Sequence, residues 1–187
     1  TAGGLVVSSG LGTFSDSAYF PDNSKIKFGD ATALVRGQDA TGSSTRAVSA
    51  GGYVAPGIVD TIEYFTTATT ANATDFGNLS VAKNGVAPVA SATRGVFSGG
   101  YTPTAQSTIE YLNFQSQGGV NDFGDLLSTT QDHMSGSNNT IGIFSRDTTT
   151  QFITMASTGD ATDWGGDTTV SRFYGMQSNC SSTRMVI

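Results

Sequence analysis

Apolar residues along this chain alternate with polar ones or form short runs, and Gly, Asn, Asp and Ser bound these runs. Such a pattern predicts β-strands that are separated by tight turns. No window has the apolar spacing of an amphipathic helix. The 24 Gly and the many Ser, Thr and Asn residues also disfavour helices, because Gly is flexible and the polar side chains compete for backbone hydrogen bonds. We therefore predict an all-β fold.

Three motifs recur in the same order at nearly constant spacing. Residues 45–53 (TRAVSAGGY) recur as 93–101 (TRGVFSGGY), residues 61–64 (TIEY) as 108–111, and residues 75–79 (DFGNL) as 122–126 (DFGDL). Matching order and spacing indicate an internal repeat. The repeat positions expected to be structural are Gly51, Gly52, Tyr53, Glu63, Asp75, Phe76, Gly77, Arg94, Gly99, Gly100, Tyr101, Glu110, Asp122, Phe123, Gly124, Asp163, Trp164, Gly165 and Arg184.

A third copy is more degenerate, and a fourth only begins. The third has 140–144 (TIGIF) in the first slot, 151–154 (QFIT) in the second and 163–165 (DWG) in the third, and 182–187 (STRMVI) matches the opening strand of a fourth. A unit of roughly 45 to 50 residues with three or four strands is typical of a β-propeller blade. We predict kelch-like blades at about 45–92, 93–138 and 139–182, with an extra strand at 183–187. We expect that strand to be paired, in its own chain or in a neighbour.

Residues 1–44 lie outside the repeat. Short strands are predicted at 4–7, 18–20, 25–28 and 33–36, with too little apolar content to bury alone. We expect this segment to serve in docking or oligomerisation, against copies of itself in other subunits. Three blades and a fraction also leave sheet edges unprotected, which predicts a homo-oligomer, either a dimer or a trimer.

The repeated glycines and aromatic residues have separate expected roles. The Gly-Gly pair before Tyr permits a close backbone approach, and Asp-aromatic-Gly fits a turn in which Asp bonds the backbone and Gly takes a positive φ. Phe76, Phe123 and Trp164 are then expected in the core between units. Surface tyrosines such as Tyr174 could instead stack on sugar rings.

Charge, hydrophobicity and cysteine content argue against several functions and structural features. Charged residues make up 13% of the chain, the net charge is −6, and the few cations are scattered, so nucleic-acid binding is not expected. No apolar run has the length of a membrane span, so membrane insertion is not expected either. The single cysteine, Cys180, excludes an internal disulfide.

The order Gly-Gly-Tyr, Thr-Ile-Glu-Tyr, Ala-Thr-Asp-Phe-Gly-x-Leu and Ser-x-Thr-Arg-Gly-Val-Phe resembles the kelch-like repeats of virion structural proteins from tailed, especially marine, bacteriophages. The resemblance covers about 45–187. Residues 4–14 followed by 20–30 look like the short β-module of phage tail-fibre shafts. The resemblance implies an extracellular protein at the virion surface, in a tail fibre or as capsid decoration. It would act in assembly and host attachment, with other virion proteins and host glycans as partners and without catalysis.

Catalysis has little support in the sequence. The only histidine, His133, has no partner motif and is expected to be a surface or loop residue. Cys180 occupies a slot that is filled by small residues in the other copies, so packing is favoured over a thiolate nucleophile. Glu63 and Glu110 occupy equivalent strand positions; a glycosidase pair would have to come within about 5 to 10 Å. A structural ion pair with Arg46, Arg94 or Arg184 is the favoured interpretation.

Bound calcium is the one cofactor considered. Aspartates recur at one turn of the repeat, namely Asp75, Asp122, Asp125, Asp160, Asp163 and Asp167. Calcium needs six to eight oxygen ligands, whereas Asp residues commonly cap their own turns. We expect turn capping and no cofactor. Besides the virion protein, two functions stay open: a glycan-binding adhesin outside any phage and a polysaccharide-degrading enzyme.

Overall fold

The computed structural model describes residues 27–28, 31–32, 40–43, 45–171, 179–180 and 183–186. All regular elements in these residues are β-strands, and every strand pair is antiparallel, which confirms the all-β prediction. The described part of the chain has no helix that is long and apolar enough to cross a membrane.

The strands follow one another in short steps along the chain. In chain order they are β1 (Lys27–Phe28), β2 (Ala31–Thr32), β3 (Ala40–Gly42), β4 (Arg46–Ala50), β5 (Tyr53–Val54), β6 (Gly57–Ile58), β7 (Thr61–Thr66), β8 (Thr74–Asn78), β9 (Ala87–Ala90), β10 (Arg94–Ser98), β11 (Tyr101–Thr102), β12 (Thr104–Asn113), β13 (Asn121–Thr130), β14 (Met134–Ser137), β15 (Ile141–Arg146), β16 (Thr149–Thr154), β17 (Thr162–Asp163), β18 (Asn179–Cys180) and β19 (Met185–Val186).

Three sheets of the same design account for most of these strands. The first sheet has the order β3-β4-β7-β8, the second β9-β10-β12-β13 and the third β14-β15-β16-β17. In the second sheet the short β11 also pairs with β12, and the hairpin β5–β6 leaves the first sheet at the corresponding place. Each sheet therefore has about the length of one repeat and folds as four neighbouring antiparallel strands. The first strands of the second and third sheets, β9 and β14, come from the ends of the preceding predicted repeats, 45–92 and 93–138.

The core lies between the sheets. At the first junction, between the first and second sheets, Val48, Ile62 and Phe76 pack with Phe97 and Leu112. At the second junction, between the second and third sheets, the cluster is Ala87, Val89, Val96, Ile109, Phe123, Leu126, Phe144, Ile153, Met155 and Ala161. A strand buries every second residue, so alternation in the sequence becomes a buried face at each junction.

The ends of the repeat region differ from the predicted boundaries. Strand β3 pairs with β4, so the first sheet starts at Ala40, inside the segment predicted to lie outside the repeat. Of the N-terminal strands, the one at 25–28 overlaps β1, while those at 4–7, 18–20 and 33–36 lie outside the described residues. Strand β19 pairs with β18 of its own chain, so the fourth unit includes a strand before residue 183.

Candidate functional site: repeated junctions and a polar cavity

In the first two copies the Asp-aromatic-Gly motif forms a bulge inside a strand instead of the predicted turn. Glu63 pairs with Asp75 and Ile62 with Gly77, which leaves Phe76 as the extra residue of β8. The second sheet repeats this register shift around Phe123. A bulge re-aims a side chain. Phe76 and Phe123 are both 2% exposed, which confirms that they belong to the core.

The glycine of this motif allows the next sheet to approach. Gly77 and Gly124 have φ values of 144° and 146°, and a Cβ there would lie 2.3 Å from the carbonyl oxygen of Gly118 and 2.5 Å from that of Gly159. These close contacts carry hydrogen bonds between sheets, because the amide of Gly118 donates to the carbonyl of Phe76 at 2.8 Å. The amide of Gly159 donates to that of Phe123 at 2.7 Å. Each of the first two sheets is thus joined through its backbone to the next sheet.

Unlike its equivalents Phe76 and Phe123, Trp164 is not a core residue. It keeps the edge-to-face contact of the motif, with its ring centroid 5.4 Å from that of Phe152, but is 45% exposed. Among the described residues, nothing lies within 4 Å of the position that a Cβ would take at Gly165. The prediction that Trp164 is a core residue is therefore wrong, since no described loop packs over it as residues 118–120 pack over Phe76.

The repeated arginines stack on tyrosines and do not pair with the glutamates. The guanidinium carbon of Arg46 lies 4.6 Å from the ring centroid of Tyr64, and that of Arg94 lies 4.7 Å from Tyr111. Each guanidinium also donates to a carbonyl of the following sheet, Phe114 for Arg46 and Met155 for Arg94. The predicted ion pairs of Glu63 and Glu110 with Arg46 and Arg94 are therefore wrong. Arg184 is exposed.

Glu110 pairs with a lysine instead. Nζ of Lys83 lies 2.6 Å from Oε2 of Glu110, and both side chains are almost fully buried. Oε1 of Glu110 accepts a hydrogen bond from the amide of Ser80 at 3.1 Å. Glu63, the equivalent residue of the first sheet, is exposed. One repeat position therefore has two environments: Glu110 is buried against the preceding sheet, whereas no sheet of the described residues covers Glu63.

Aligning 151–154 (QFIT) with 108–111 (TIEY) predicts Ile153 as the counterpart of Glu110, but the third copy pairs in a different register. Gln151 pairs with Phe144 and Asp163 as Glu110 pairs with Phe97 and Asp122. Its Oε1 accepts a hydrogen bond from the amide of Leu127 at 2.8 Å, as Glu110 does from Ser80. Gln151, not Ile153, is thus the counterpart of the glutamates.

His133 is buried at the second junction, so its prediction as a surface residue is wrong. It is 1% exposed, its ring lies 5.8 Å from that of Phe144, and Nε2 is 2.8 Å from Oγ of Ser98. The Ser98 hydroxyl donates to the carbonyl of Ala87 at 3.0 Å, so Nε2 carries the imidazole hydrogen and Nδ1 is an acceptor. Burial, assisted by the positive charge of Arg146, lowers the pKa of His133 to about 3. The imidazole is therefore neutral.

A polar cavity of about 350 Å³ opens beside His133 at the end of the second junction. Its floor includes Thr130 and Gln151, which are buried, and its rim includes Ser128, Thr129 and Thr149, which are exposed. Arg146 and Asp147 from the β15–β16 turn also line it. The guanidinium of Arg146 donates to the carbonyl of Gln131 and to Oγ1 of Thr130. Sequence reasoning missed this site. The one available signal was that His133 occupies the slot of the buried Val86.

Three of the six recurring aspartates, Asp160, Asp163 and Asp167, accept hydrogen bonds from backbone amides. Oδ1 of Asp163 accepts from the amide of Gly165 in its own turn at 3.0 Å, as predicted. Oδ1 of Asp160 accepts from the amide of Asp125 in the second sheet, also at 3.0 Å, and so bonds across the junction. Asp75 and Asp122 are exposed. In the described residues, no group of three or more His, Cys, Asp or Glu is placed to hold a metal ion.

Of the remaining predicted positions, the glycines lie between strands, the tyrosines are exposed and Cys180 lies in a strand. Gly51 and Gly99 make the predicted close approach, since a Cβ would lie 2.3 Å from the carbonyl oxygen of Lys83 and 2.5 Å from that of Thr130. Tyr53 and Tyr101, which follow each Gly-Gly pair, are 65% and 38% exposed. Cys180 pairs with Met185 across β18 and β19, and burial raises the pKa of its thiol. Tyr174 lies outside the described residues.

No family model matches the sequence, and no curated protein matches it.

Proposed function

We propose that this chain is a non-catalytic structural protein on the surface of a bacteriophage particle, in a tail fibre or as capsid decoration, that acts in assembly and host attachment. One observation carries the structural part. Several residues of the repeat motifs hold neighbouring sheets together, through the Phe76 and Phe123 bulges, the Arg46 and Arg94 stacks and the backbone bonds between sheets. Packing thus accounts for these motif positions. The virion setting is supported by the sequence resemblance.

We also infer that the sheets are kelch-like, propeller-type blades. Each sheet has four neighbouring strands, and the apolar clusters lie between sheet faces, as in a propeller. The first strands of the second and third sheets are also bonded side by side. Oγ of Ser135 in β14 donates to the carbonyl of Pro88 in β9 at 2.7 Å, and Oγ of Ser137 donates to that of Ala90 at 2.8 Å.

Self-association and contacts with other virion proteins belong to the proposal. The face of the first sheet that points away from the first junction exposes Ser49 and Glu63. The equivalent residues of the second sheet, Phe97 and Glu110, are buried against the preceding sheet. A second copy that packs on the first sheet would therefore meet a polar face. We expect such a contact to be hydrated and reversible, unlike the apolar junctions inside the chain.

Particle purification tests this function. We expect the chain to remain with intact virions through density-gradient purification, at a constant ratio to the major capsid protein, and we expect antibodies against it to label fibres or the capsid surface in electron micrographs. Virions are its proposed site, so recovery only in the particle-free fraction would refute the proposal.

A glycan-binding adhesin outside any phage is the second candidate, because the polar cavity beside His133 has the size of a small-ligand site. Labelling of a cell surface in the absence of phage particles would support it over the virion protein. Hydrolysis of a host polysaccharide by the purified chain would instead indicate the enzyme.

A further inference from the structure

Several residues around the cavity at the second junction differ from their counterparts in the repeat. Equivalent positions change from Lys83 to Thr130, Val86 to His133, Gly99 to Arg146, Gly100 to Asp147 and Glu110 to Gln151. At the first junction the Lys83–Glu110 ion pair occupies this place. Replacing these two residues by Thr and Gln leaves room for the cavity.

Backbone strain occurs at the same place. Asp147 has a φ of 55°, in the left-handed region that non-glycine residues rarely adopt, and the equivalent Gly100 has a φ of 103°. The sequence therefore places a strained aspartate where the repeat has a glycine. Strain of this kind clusters at binding and catalytic sites.

Two buried acceptors at this cavity have no hydrogen-bond partner within the described residues. They are Nδ1 of His133 and Oδ1 of Asp147, and both residues line the cavity. An unsatisfied buried polar atom destabilises the folded chain, so a ligand that donates hydrogen bonds would be stabilised here. Arg146 balances the charge of Asp147, which favours a neutral ligand.

We propose that this cavity binds a neutral saccharide, whose hydroxyl groups donate to Nδ1 of His133 and Oδ1 of Asp147. The hydroxyls of Ser128, Thr129 and Thr149 at the rim serve the outer face of the ring. A cavity of about 350 Å³ holds one sugar unit, such as the end of a longer glycan. The inference rests on the proposed attachment role, to which it assigns a ligand class and a site.

The single histidine provides a direct probe. A panel of neutral hexoses and N-acetylhexosamines is titrated into the labelled chain while the Nδ1 resonance of His133 is followed by ¹⁵N NMR. We expect at least one sugar to move this resonance in the direction of an accepted hydrogen bond, with saturation. No saturable shift with any sugar of the panel would refute the site.

Asp147→Gly removes the proposed acceptor and restores the glycine of the repeat, so we expect it to fold and to bind the sugar about tenfold more weakly or worse. Asp132→Gly is the matched control, because Asp132 also has a positive φ, of 50°, corresponds to Gly85 and does not line the cavity. Equal affinities in the two variants would overturn the assignment. Virion association is measured separately. A chain that binds sugar but is absent from purified virions would refute only the virion role. A chain that is present in virions but binds no sugar would refute only the saccharide site.

Discussion

Lowering the pH from about 6 to about 4.5 should cost the folded chain about 2 kcal/mol through His133 alone. The imidazole is buried, and burial together with Arg146 lowers its pKa from 6.5 to about 3. Between these two values the unfolded chain binds a proton that the folded chain does not. The free energy of unfolding therefore rises with pH in this window and falls on acidification. The melting temperature should drop by roughly 4–8 °C.

The variant His133→Gln isolates this effect. Glutamine keeps an amide donor for Oγ of Ser98 but does not titrate, and the chain has no other histidine. The difference in melting temperature between wild type and variant should shrink as the pH falls over this range. Parallel pH curves for the two proteins would show that His133 is protonated as easily in the folded state as in the unfolded one, and hence that it is not buried.

Glu110→Gln should destabilise the chain by about 3–5 kcal/mol, which corresponds to a melting temperature lower by on the order of 10 °C. The glutamine oxygen would still accept from the amide of Ser80, as Gln151 accepts from Leu127. Its NH₂ group would then face the buried ammonium of Lys83. That charge would lose its only ion-pair partner among the described residues.

Two further variants test whether the loss of stability comes from the unpaired charge of Lys83. Glu63→Gln makes the same change at the equivalent, exposed position of the first sheet, where we expect a change within about 0.5 kcal/mol. Lys83→Met combined with Glu110→Gln removes both charges and should regain most of the loss, since an apolar replacement of a buried ion pair is often neutral. Urea unfolding at neutral pH measures all three variants. Equal stabilities for the two single variants would contradict the buried pair.

The repeat allowed the sequence to predict the fold class and much of the core. Alternating residues in 45–53 and 93–101 became β4 and β10, and the repeated phenylalanines lie at the junctions. The strands follow from the alternation of apolar and polar residues, and the core phenylalanines from their recurrence in two copies. Both features can be seen in the sequence without knowledge of contacts between sheets.

Contacts between sheets were not predictable in the same way. Asp75-Phe76-Gly77 has the local sequence of a turn, and it becomes a bulge because β7 pairs across it. His133 lies in a polar stretch, and its burial depends on Ser98 in the second sheet and on Phe144 in the third. The register of the third copy also shifts. Its strands β15 and β16 are joined by a tight hairpin from Arg146 to Thr149, whereas in the second copy the short strand β11 lies between β10 and β12.

Native-state hydrogen exchange at Gly118 and Gly159 tests most directly that the repeats are joined sheet to sheet. Both residues lie in Gly-rich loops, where amides normally exchange quickly, but their amides donate to Phe76 and Phe123 of the preceding sheet. We predict that both amides, and those of Val120 and Ala161, exchange as slowly as amides within β10 and β12. Exchange as fast as in an exposed loop would show that the sheets are not bonded to one another and would contradict the account.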